Sequence, residues 1–209
     1  MIDKAMLVLS CIEREPLALA GLVAASGIAR PTAHRLAVAL EAHAMLRRDG
    51  EGRFRLGPRA VALGRAATQS YPLRDLALPA LRALREATGE SVQLYVREAD
   101  RRICVASLES PHGLRTIVET GASLPLHLGS AGAVLLGDRA VLRRGWAESV
   151  GEREAGVASV SAPVIDDGDV VAAVGVSGPI ERLTRAPGKR YAKQVKTAAR
   201  AIERALRGE

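Results

Sequence analysis

The stretch that decides the fold of the N-terminal part is Gly27-Ile28-Ala29-Arg30-Pro31-Thr32-Ala33-His34-Arg35-Leu36. Gly27 suits the end of a helix because glycine adopts positive φ without a steric penalty. Pro31 suits the first turn of the next helix, where its missing N–H is not needed. The stretch therefore predicts two helices joined by a tight turn, which is the helix-turn-helix arrangement.

The apolar residues of the second predicted helix follow the spacing of a single helical face. Ala33, Leu36, Ala37 and Leu40 are expected to face the core. In a helix-turn-helix, this helix presents its N-terminal residues to the major groove of DNA. The candidate DNA-contacting residues of this helix are Arg30, Pro31, Thr32, His34 and Arg35.

Two interpretations of these polar residues stay open. Arg30 and Arg35 carry the guanidinium group that binds guanine edges or phosphates, but they also suit a solvated helix end. His34 contacts DNA or covers the helix surface. The basic hairpin that follows favours the DNA interpretation.

That hairpin begins directly after the second helix. Residues 49–52, Asp-Gly-Glu-Gly, are typical of a hairpin turn. Phe54 and Leu56 alternate with Arg53 and Arg55, so one strand face is apolar and the other is cationic. A basic hairpin behind a recognition helix is typical of a wing, which binds phosphates or reaches the minor groove. We therefore add Arg53 and Arg55 to the predicted DNA contacts.

The composition agrees with a duplex DNA partner. The chain has 209 residues and a formal net charge of +7, and its first 70 residues carry ten basic and six acidic side chains. A basic excess favours a polyanionic partner. Single-stranded nucleic acid is bound by stacking bases on aromatic rings, and this chain has one Phe, one Trp and three Tyr. Double-stranded DNA is therefore the expected partner.

The rest of the chain is predicted to form a separate domain of mixed helices and strands, so the fold class is α+β. A helical linker runs over 58–70, and Tyr71-Pro72 breaks it. The predicted elements that follow are a helix with Leu76, Leu81, Leu84 and Ala87 on its apolar face, strands over 92–96, 103–106 and 114–118, a buried helix over 129–136, a hairpin of 157–165 and 170–176, and a closing helix through Val195, Ala199, Ile202 and Leu206.

The chain shows no catalytic or metal-binding constellation. Cys11 and Cys104 are isolated and the histidines have no metal-ligand spacing, so we expect neither a metal nor a cofactor. Glu152 and Glu154 could form an acid–base pair, but Arg153 between them is more typical of a solvated turn. We therefore expect no enzymatic activity. The two scattered cysteines, with no secretory signal and no apolar run of membrane-spanning length, predict a cytoplasmic protein without membrane contact.

Six stretches, residues 27–36, 48–59, 88–92, 124–127, 156–164 and 176–179, occur in an order that spans nearly the whole chain. Together they resemble the IclR family of bacterial transcription regulators. The resemblance implies a winged helix-turn-helix over residues 1–57, a linker helix over 58–72 and a GAF-like effector-binding domain over 73–209. It also implies a homodimer or tetramer that binds a palindromic operator under the control of a small organic acid or amino acid.

The resemblance also places an effector pocket in the second domain. The family's loop-to-helix positions that approach a carboxylate ligand fall on Ser130 and Ala131, and a position on a later strand falls on Ser159. Two further pocket positions fall on Gly175 and Ser177. Gly175 replaces a side chain that is polar in some relatives, which leaves more room or removes a hydrogen bond. From the residues alone, the same serines suit ordinary strand and cap chemistry.

The chain departs from the family between Leu136 and Gly145. The family usually carries an extra acidic helical segment there, whereas this chain has only Gly137–Arg144. Either the protein truly lacks this segment, or the protein has a disordered stretch there that this sequence does not include. A true absence leaves one wall of the pocket open or supplied by a partner.

Three functions are to be distinguished. The resemblance implies a metabolite-controlled regulator, and it extends to an actinobacterial branch associated with amino-acid metabolism, including leucine biosynthesis. The residues alone also allow a small-molecule-binding enzyme or sensor domain that carries a non-specific basic DNA-binding appendage. An architectural DNA binder without sequence preference is the third.

Overall fold

The computed structural model describes residues 1–69 and 71–209, and of residues 68 and 69 it describes the backbone alone. Its contacts divide the chain into two compact units, Met1–Gln69 and Ser70–Glu209. The helix predicted as a linker is present over Pro58–Gln69. The last residue of that prediction, Ser70, lies outside the described residues.

The first unit has three helices followed by a two-stranded hairpin and a fourth helix. Gly27 ends the helix Leu19–Ser26, which precedes the turn, with a φ of 66°. Its N–H donates to the Val23 carbonyl at 3.0 Å, as predicted for a left-handed cap. The third helix has Pro31 in its first turn. The elements are α1 (Ile2–Arg14), α2 (Leu19–Ser26), α3 (Arg30–Ala42), β1 (Leu46–Arg48), β2 (Phe54–Leu56) and α4 (Pro58–Gln69).

The core of this unit joins α1, α2 and α3 to the hairpin. Ala33, Leu36 and Ala37 of α3 are buried in it, as the helical spacing predicts. Phe54 of β2 is fully buried, whereas Leu56 on the same apolar side of the strand is 38% exposed. Leu56 is the last residue of a three-residue strand, and the chain leaves the packed face there to enter α4.

The second unit is a six-stranded antiparallel sheet with helices on both faces. Its elements are α5 (Pro72–Thr88), β3 (Ser91–Glu98), β4 (Arg101–Leu108), β5 (Ser123–Pro125), α6 (Gly129–Leu135), α7 (Arg139–Arg144), β6 (Ala147–Val150), β7 (Val157–Asp166), β8 (Asp169–Pro179), α8 (Ile180–Leu183) and α9 (Pro187–Leu206). The strand order is β5-β4-β3-β8-β7-β6, and every neighbouring pair is antiparallel.

The two faces of this sheet bury different kinds of residues, because side chains alternate along a strand. On β3, Val92 and Leu94 pack into the apolar core formed with α5 and α9. Tyr95 packs on the opposite face with residues of α6, and Gln93 lies on that face as well. The face under α6 is therefore the more polar one.

The long hairpin of β7 and β8 has the turn that the sequence predicts. Asp167 and Gly168 both have positive φ, 48° and 89°, which is the type I′ geometry that suits twisted antiparallel strands. The register that this turn sets places Ser159 opposite Ser177. Two serines predicted from separate motifs are thereby brought side by side.

The strand predicted over residues 114–118 is wrong. Those residues form an irregular segment, and the strand that pairs with β4 is β5 instead. The Ser91 hydroxyl donates to the Thr116 carbonyl at 2.7 Å. The Thr116 carbonyl is therefore hydrogen-bonded to a side chain and not to the backbone of a neighbouring strand.

The apolar face predicted for α5 is also wrong in part. Leu76 is 41% exposed and Ala87 is exposed, whereas Leu81 and Leu84 are buried. Ala77 is the residue that completes the buried face. Residues 77, 81 and 84 fit the i, i+4, i+7 spacing of one helical stripe, which residue 76 does not.

Candidate functional sites

The exposed start of α3 collects the predicted DNA-contacting residues of that helix. Arg30, Pro31, His34 and Arg35 are exposed, and Thr32 is half-buried. Among the residues that the structure describes, neither Arg30 nor Arg35 takes part in an ion pair. Both guanidinium groups are therefore available to an external anion or to a base edge.

One carboxylate organises the wing. Asp49 Oδ1 accepts hydrogen bonds from the backbone N–H groups of Glu51 (3.1 Å) and Arg53 (3.0 Å), which fix the turn. Its Oδ2 lies 2.9 Å from Arg53 Nε and 3.2 Å from Arg55 Nε. Desolvation opposes ionisation of Asp49, but the hydrogen bonds from Arg53 and the backbone outweigh it and lower the pKa of the carboxyl group. Both predicted wing arginines are thus held by one internal anion.

Sequence reasoning missed a third arginine of the wing. Arg47 on β1 is exposed and lies directly opposite Arg55 across the hairpin. Opposite residues of an antiparallel pair have neighbouring side chains, so both arginines belong to the same side of the wing. The pairing of Arg47 with Arg55 in the strand register is what identifies Arg47 as a residue of the wing. Arg48 differs, since its guanidinium lies 4.3 Å from the centre of the Phe54 ring.

A cavity lies on the polar face of the six-stranded sheet, beside the start of α6. Its volume is about 30 Å³, room for about one or two water molecules. Four of the five predicted effector residues line it, namely Ser130, Ala131, Ser159 and Ser177. Other lining residues include Gln93, Tyr95, Arg102, Ser149, Arg153 and Ser161.

The serines of the cavity form hydrogen bonds with one another and with Gln93. Ser130 Oγ donates to Ser159 Oγ at 2.8 Å and lies 2.8 Å from Ser161 Oγ. Ser177 Oγ donates to Gln93 Oε1 at 2.9 Å. This last bond uses the oxygen of the Gln93 amide and leaves its nitrogen, a donor, without an acceptor.

Gly175 is the predicted effector residue that does not line the cavity. A Cβ atom at this position would lie 2.2 Å from Ser161 Oγ and 2.6 Å from the Val160 carbonyl oxygen. The space that a side chain at residue 175 would need is therefore taken up by Ser161 and the neighbouring strand. A direct contact between Gly175 and a ligand stays a prediction.

Two arginines of the cavity were missed by sequence reasoning. Arg102 is only 3% exposed, and its Nη1 donates to the carbonyls of Pro125 and Leu128. Burial lowers the pKa of its guanidinium, the nearby Tyr95 hydroxyl opposes that shift, and the charge of Arg153 adds to it. Arg102 lies just before the predicted strand 103–106 and Arg153 in a predicted solvated turn, so the sequence gives no signal that either residue lines a cavity.

Neither a metal centre nor a membrane span is found in the described part of the chain. Residues 1–69 and 71–209 contain no group of three or more His, Cys, Asp and Glu side chains that could hold a metal ion. None of the helices described here combines the length and the apolar character that crossing a bilayer requires.

Comparison with known proteins agrees with the order of these elements. The model of the IclR helix-turn-helix domain matches residues 1–50, and the model of the bacterial transcriptional regulator IclR C-terminal domain matches residues 65–140 and 139–204. The chain belongs to the IclR family of bacterial transcriptional regulators. It is a DNA-binding transcriptional regulator of the IclR type with an effector-binding C-terminal domain.

Individual relatives of this IclR-type regulator support the assignment. The glycerol operon regulatory protein of Streptomyces griseus is 32% identical, and the alignment covers 91% of this chain and 89% of that protein. An IclR family regulator from Brucella abortus has the same fold, with a TM-score of 0.88 at 20% identity over 98% of this chain and 91% of that one. An IclR homologue from Microbacterium hydrocarbonoxydans, solved with 4-hydroxybenzoate, gives a TM-score of 0.71 at 22% identity over 100% and 99%.

The match to the IclR family is interrupted where the sequence departs from it. The C-terminal family model matches in two parts that meet at residues 139–140. The alignment with the Streptomyces griseus regulator runs over 225 positions, although this chain has 209 residues, so it includes positions that this chain lacks. In the structure, α7 follows α6 after a short connection and leads into β6. The break in the family match thus falls within the stretch where the sequence departs from the family.

Proposed function

We propose that this IclR-type regulator binds a palindromic operator as a homodimer through α3 and the wing, and that a small organic acid or amino acid in the cavity under α6 changes its affinity for DNA. The observation that carries the proposal is the convergence of Ser130, Ala131, Ser159 and Ser177 on one cavity. These residues come from three separate elements, α6, β7 and β8. The hairpin register brings Ser159 beside Ser177, and α6 adds Ser130 and Ala131 from a separate part of the chain.

The DNA contacts are assigned to Arg30, Pro31, Thr32, His34 and Arg35 of α3 and to Arg53 and Arg55 of the wing. Their exposure supports this assignment for α3, since its two arginines lack internal ion pairs among the described residues. In the wing, a phosphate would replace Asp49 as the partner of the two guanidinium groups. Such contacts fix the position of the protein on the duplex, whereas base contacts from α3 supply specificity.

A second copy of the chain is expected to cover apolar side chains of the first unit. Val61 and Leu63 of α4 are 71% and 46% exposed, and Ile2 and Met6 of α1 are 77% and 55% exposed. Burying an aliphatic side chain of this size is favourable by about 1.5–3 kcal/mol. A symmetric dimer would also present two recognition helices about 34 Å apart, one turn of DNA. A tetramer built from two such dimers is the other arrangement consistent with this surface.

The cavity is proposed to bind its ligand without turnover. A serine needs a neighbouring base to become a nucleophile, and the cavity wall formed by the described residues contains no His, Asp or Glu side chain. Stoichiometric binding of an unchanged metabolite distinguishes a regulator from the alternative of an enzyme or sensor domain. The cytoplasm is the proposed location, and control of amino-acid biosynthesis stays a prediction.

The experiment that tests this function is selection of bound duplexes from a random DNA pool with the full chain, followed by sequencing. An enriched inverted repeat with half-sites one turn apart supports a symmetric, sequence-specific regulator. Binding without enrichment would favour the architectural alternative instead. The enriched duplex then serves as the probe for metabolites that change its affinity.

Arg35→Ala provides the matched variant for this selection. If Arg35 reads a base, its loss should weaken specific binding by about 1–3 kcal/mol and relax the preference at one position. Arg14→Ala removes an exposed arginine from the last turn of α1 and serves as the control. Unchanged affinity and an unchanged sequence preference in Arg35→Ala would remove this residue from the interface.

A further inference from the structure

Two buried hydrogen-bond donors on the cavity wall have no acceptor. They are Gln93 Nε2 and Arg102 Nε, and their side chains belong to residues that are 2% and 3% exposed. With the Gln93 amide in the orientation in which Ser177 Oγ donates to Oε1, the nitrogen Nε2 is the end that is left unused. A buried donor without an acceptor loses its hydration and gains nothing in return. The acceptors for these two donors must therefore come from water or from a ligand in the cavity.

Arg102 also lacks a counter-ion. Its Nη1 bonds are made to the neutral carbonyls of Pro125 and Leu128, and the ion pairs of the described residues do not include it. A buried guanidinium without an anion is unfavourable, and removal of its charge by deprotonation is not available to arginine. An anionic group placed in the cavity would supply both the missing charge and the missing acceptor.

A second guanidinium borders the same cavity. Arg153 is half-buried, and its recorded acidic partner, Glu154, is 4.0 Å away, beyond hydrogen-bond distance. The other acid of this connection, Glu152, accepts a hydrogen bond from the Gly129 backbone N–H at 3.0 Å. Its carboxylate is therefore already used at the edge of the cavity. Two positive charges therefore border one small space whose other lining residues include five serines.

We infer that the effector of this regulator is a compact organic dianion, with one anionic group bound by Arg102 and Gln93 and the other by Arg153. The inference rests on the proposed function, in which this cavity is the effector site. At about 30 Å³, the cavity has room for one or two water molecules, so the ligand is short and the side chains of the wall must move apart to admit it. The hydroxyl groups of Ser130 and Ser177 would then contact the ligand between its two ends.

The wild-type protein provides the first test. Oxalate, malonate and succinate are titrated at constant ionic strength by calorimetry, beside the neutral isostere malonamide and the monoanion propionate. At least one dianion should bind about a hundredfold more tightly than the neutral isostere and about tenfold more tightly than the monoanion. Binding of malonamide or propionate as tight as that of every dianion, or no binding of any dianion, would overturn the inference.

Variants then assign the two contacts. Arg153→Gln and Gln93→Leu should each weaken the dianion about tenfold or more, and Arg102→Gln should weaken it further. Arg97→Gln is the matched control, since Arg97 is an exposed arginine on the same strand as Gln93 and is bonded to the Ala99 carbonyl. Arg102→Gln changes a buried group and requires a check of thermal unfolding. Arg153 is half-buried, so its variant keeps the test decisive if Arg102→Gln does not fold.

The outcomes separate this inference from the proposed function. A monocarboxylate or an amino acid that changes operator affinity, with no effect of dianions, would leave the effector site in place and overturn its dianion specificity. Dianion binding that depends on Arg102 and Arg153 but leaves operator affinity unchanged would confirm the anion site and contradict its role as the effector site.

Discussion

Replacing both wing arginines tests the DNA interface through its salt dependence. Arg53 and Arg55 both lie within 3.2 Å of Asp49, which we expect phosphates to replace in the complex. Each phosphate neutralised contributes about 0.9 to the slope of log affinity against log salt. Arg53→Gln combined with Arg55→Gln should therefore flatten the slope by about 1.8 per wing. Between about 50 and 200 mM KCl, the variant should lose about twelvefold less affinity per wing than the wild type.

The assay is fluorescence anisotropy with a labelled operator and with a scrambled duplex of equal length. The same charge is removed from exposed positions of the second unit by Arg97→Gln with Arg139→Gln, and this control should keep the wild-type slope. Asp49→Asn retains an oxygen for the turn hydrogen bonds but removes the internal anion, so it should steepen the slope on both duplexes. A wild-type slope in a folded wing variant would refute the assignment of phosphate contacts to these arginines.

Three further predictions concern the second unit. Arg182→Ala should lower the free energy of unfolding in urea by about 3 kcal/mol, because it leaves Glu90, which is 2% exposed, buried without its bidentate partner; Glu90→Gln should cost less, and equal losses would contradict this reasoning. Burial raises the pKa of the Cys104 thiol to about 12, so above about pH 8.5 the unfolded chain releases a proton that the native state retains. The free energy of unfolding should then fall by up to about 1.4 kcal/mol per pH unit, and Cys104→Ala should flatten that fall in alkaline urea titrations. Ser177→Leu should abolish the effect of the effector on operator affinity in the anisotropy assay while operator binding itself is kept, and a normal response would remove Ser177 from the effector site.

Elements that depend on the backbone chemistry of one or two residues could be predicted from the sequence. Gly27 takes the positive φ that a helix cap requires, and Asp167 with Gly168 takes the paired positive φ of a type I′ turn. Such preferences act locally, and they do not depend on what lies elsewhere in the fold. The helix-turn-helix and the long hairpin of the second unit therefore follow from short stretches of sequence.

The cavity could be predicted only in part, because its walls come from distant parts of the chain. Family resemblance identifies Ser130, Ser159 and Ser177, which do line it. Arg102 and Arg153 line the cavity because of the strand register and the position of α6. Both of these features depend on parts of the chain that are distant in sequence from the two arginines. The prediction of a strand over 114–118 is wrong for a related reason. A strand-like composition does not form a strand unless a neighbouring strand is available to pair with it.

The polar face of the sheet connects the stability of this regulator to its ligand. If an anion binds at Gln93 Nε2 and Arg102 Nε as proposed, it stabilises the native state by mass action. If the same ligand changes operator affinity by some factor, linkage requires operator DNA to change ligand affinity by that same factor. Both factors can be measured separately on one preparation. Unequal values would mean that the ligand that stabilises the cavity and the ligand that controls DNA binding occupy different sites.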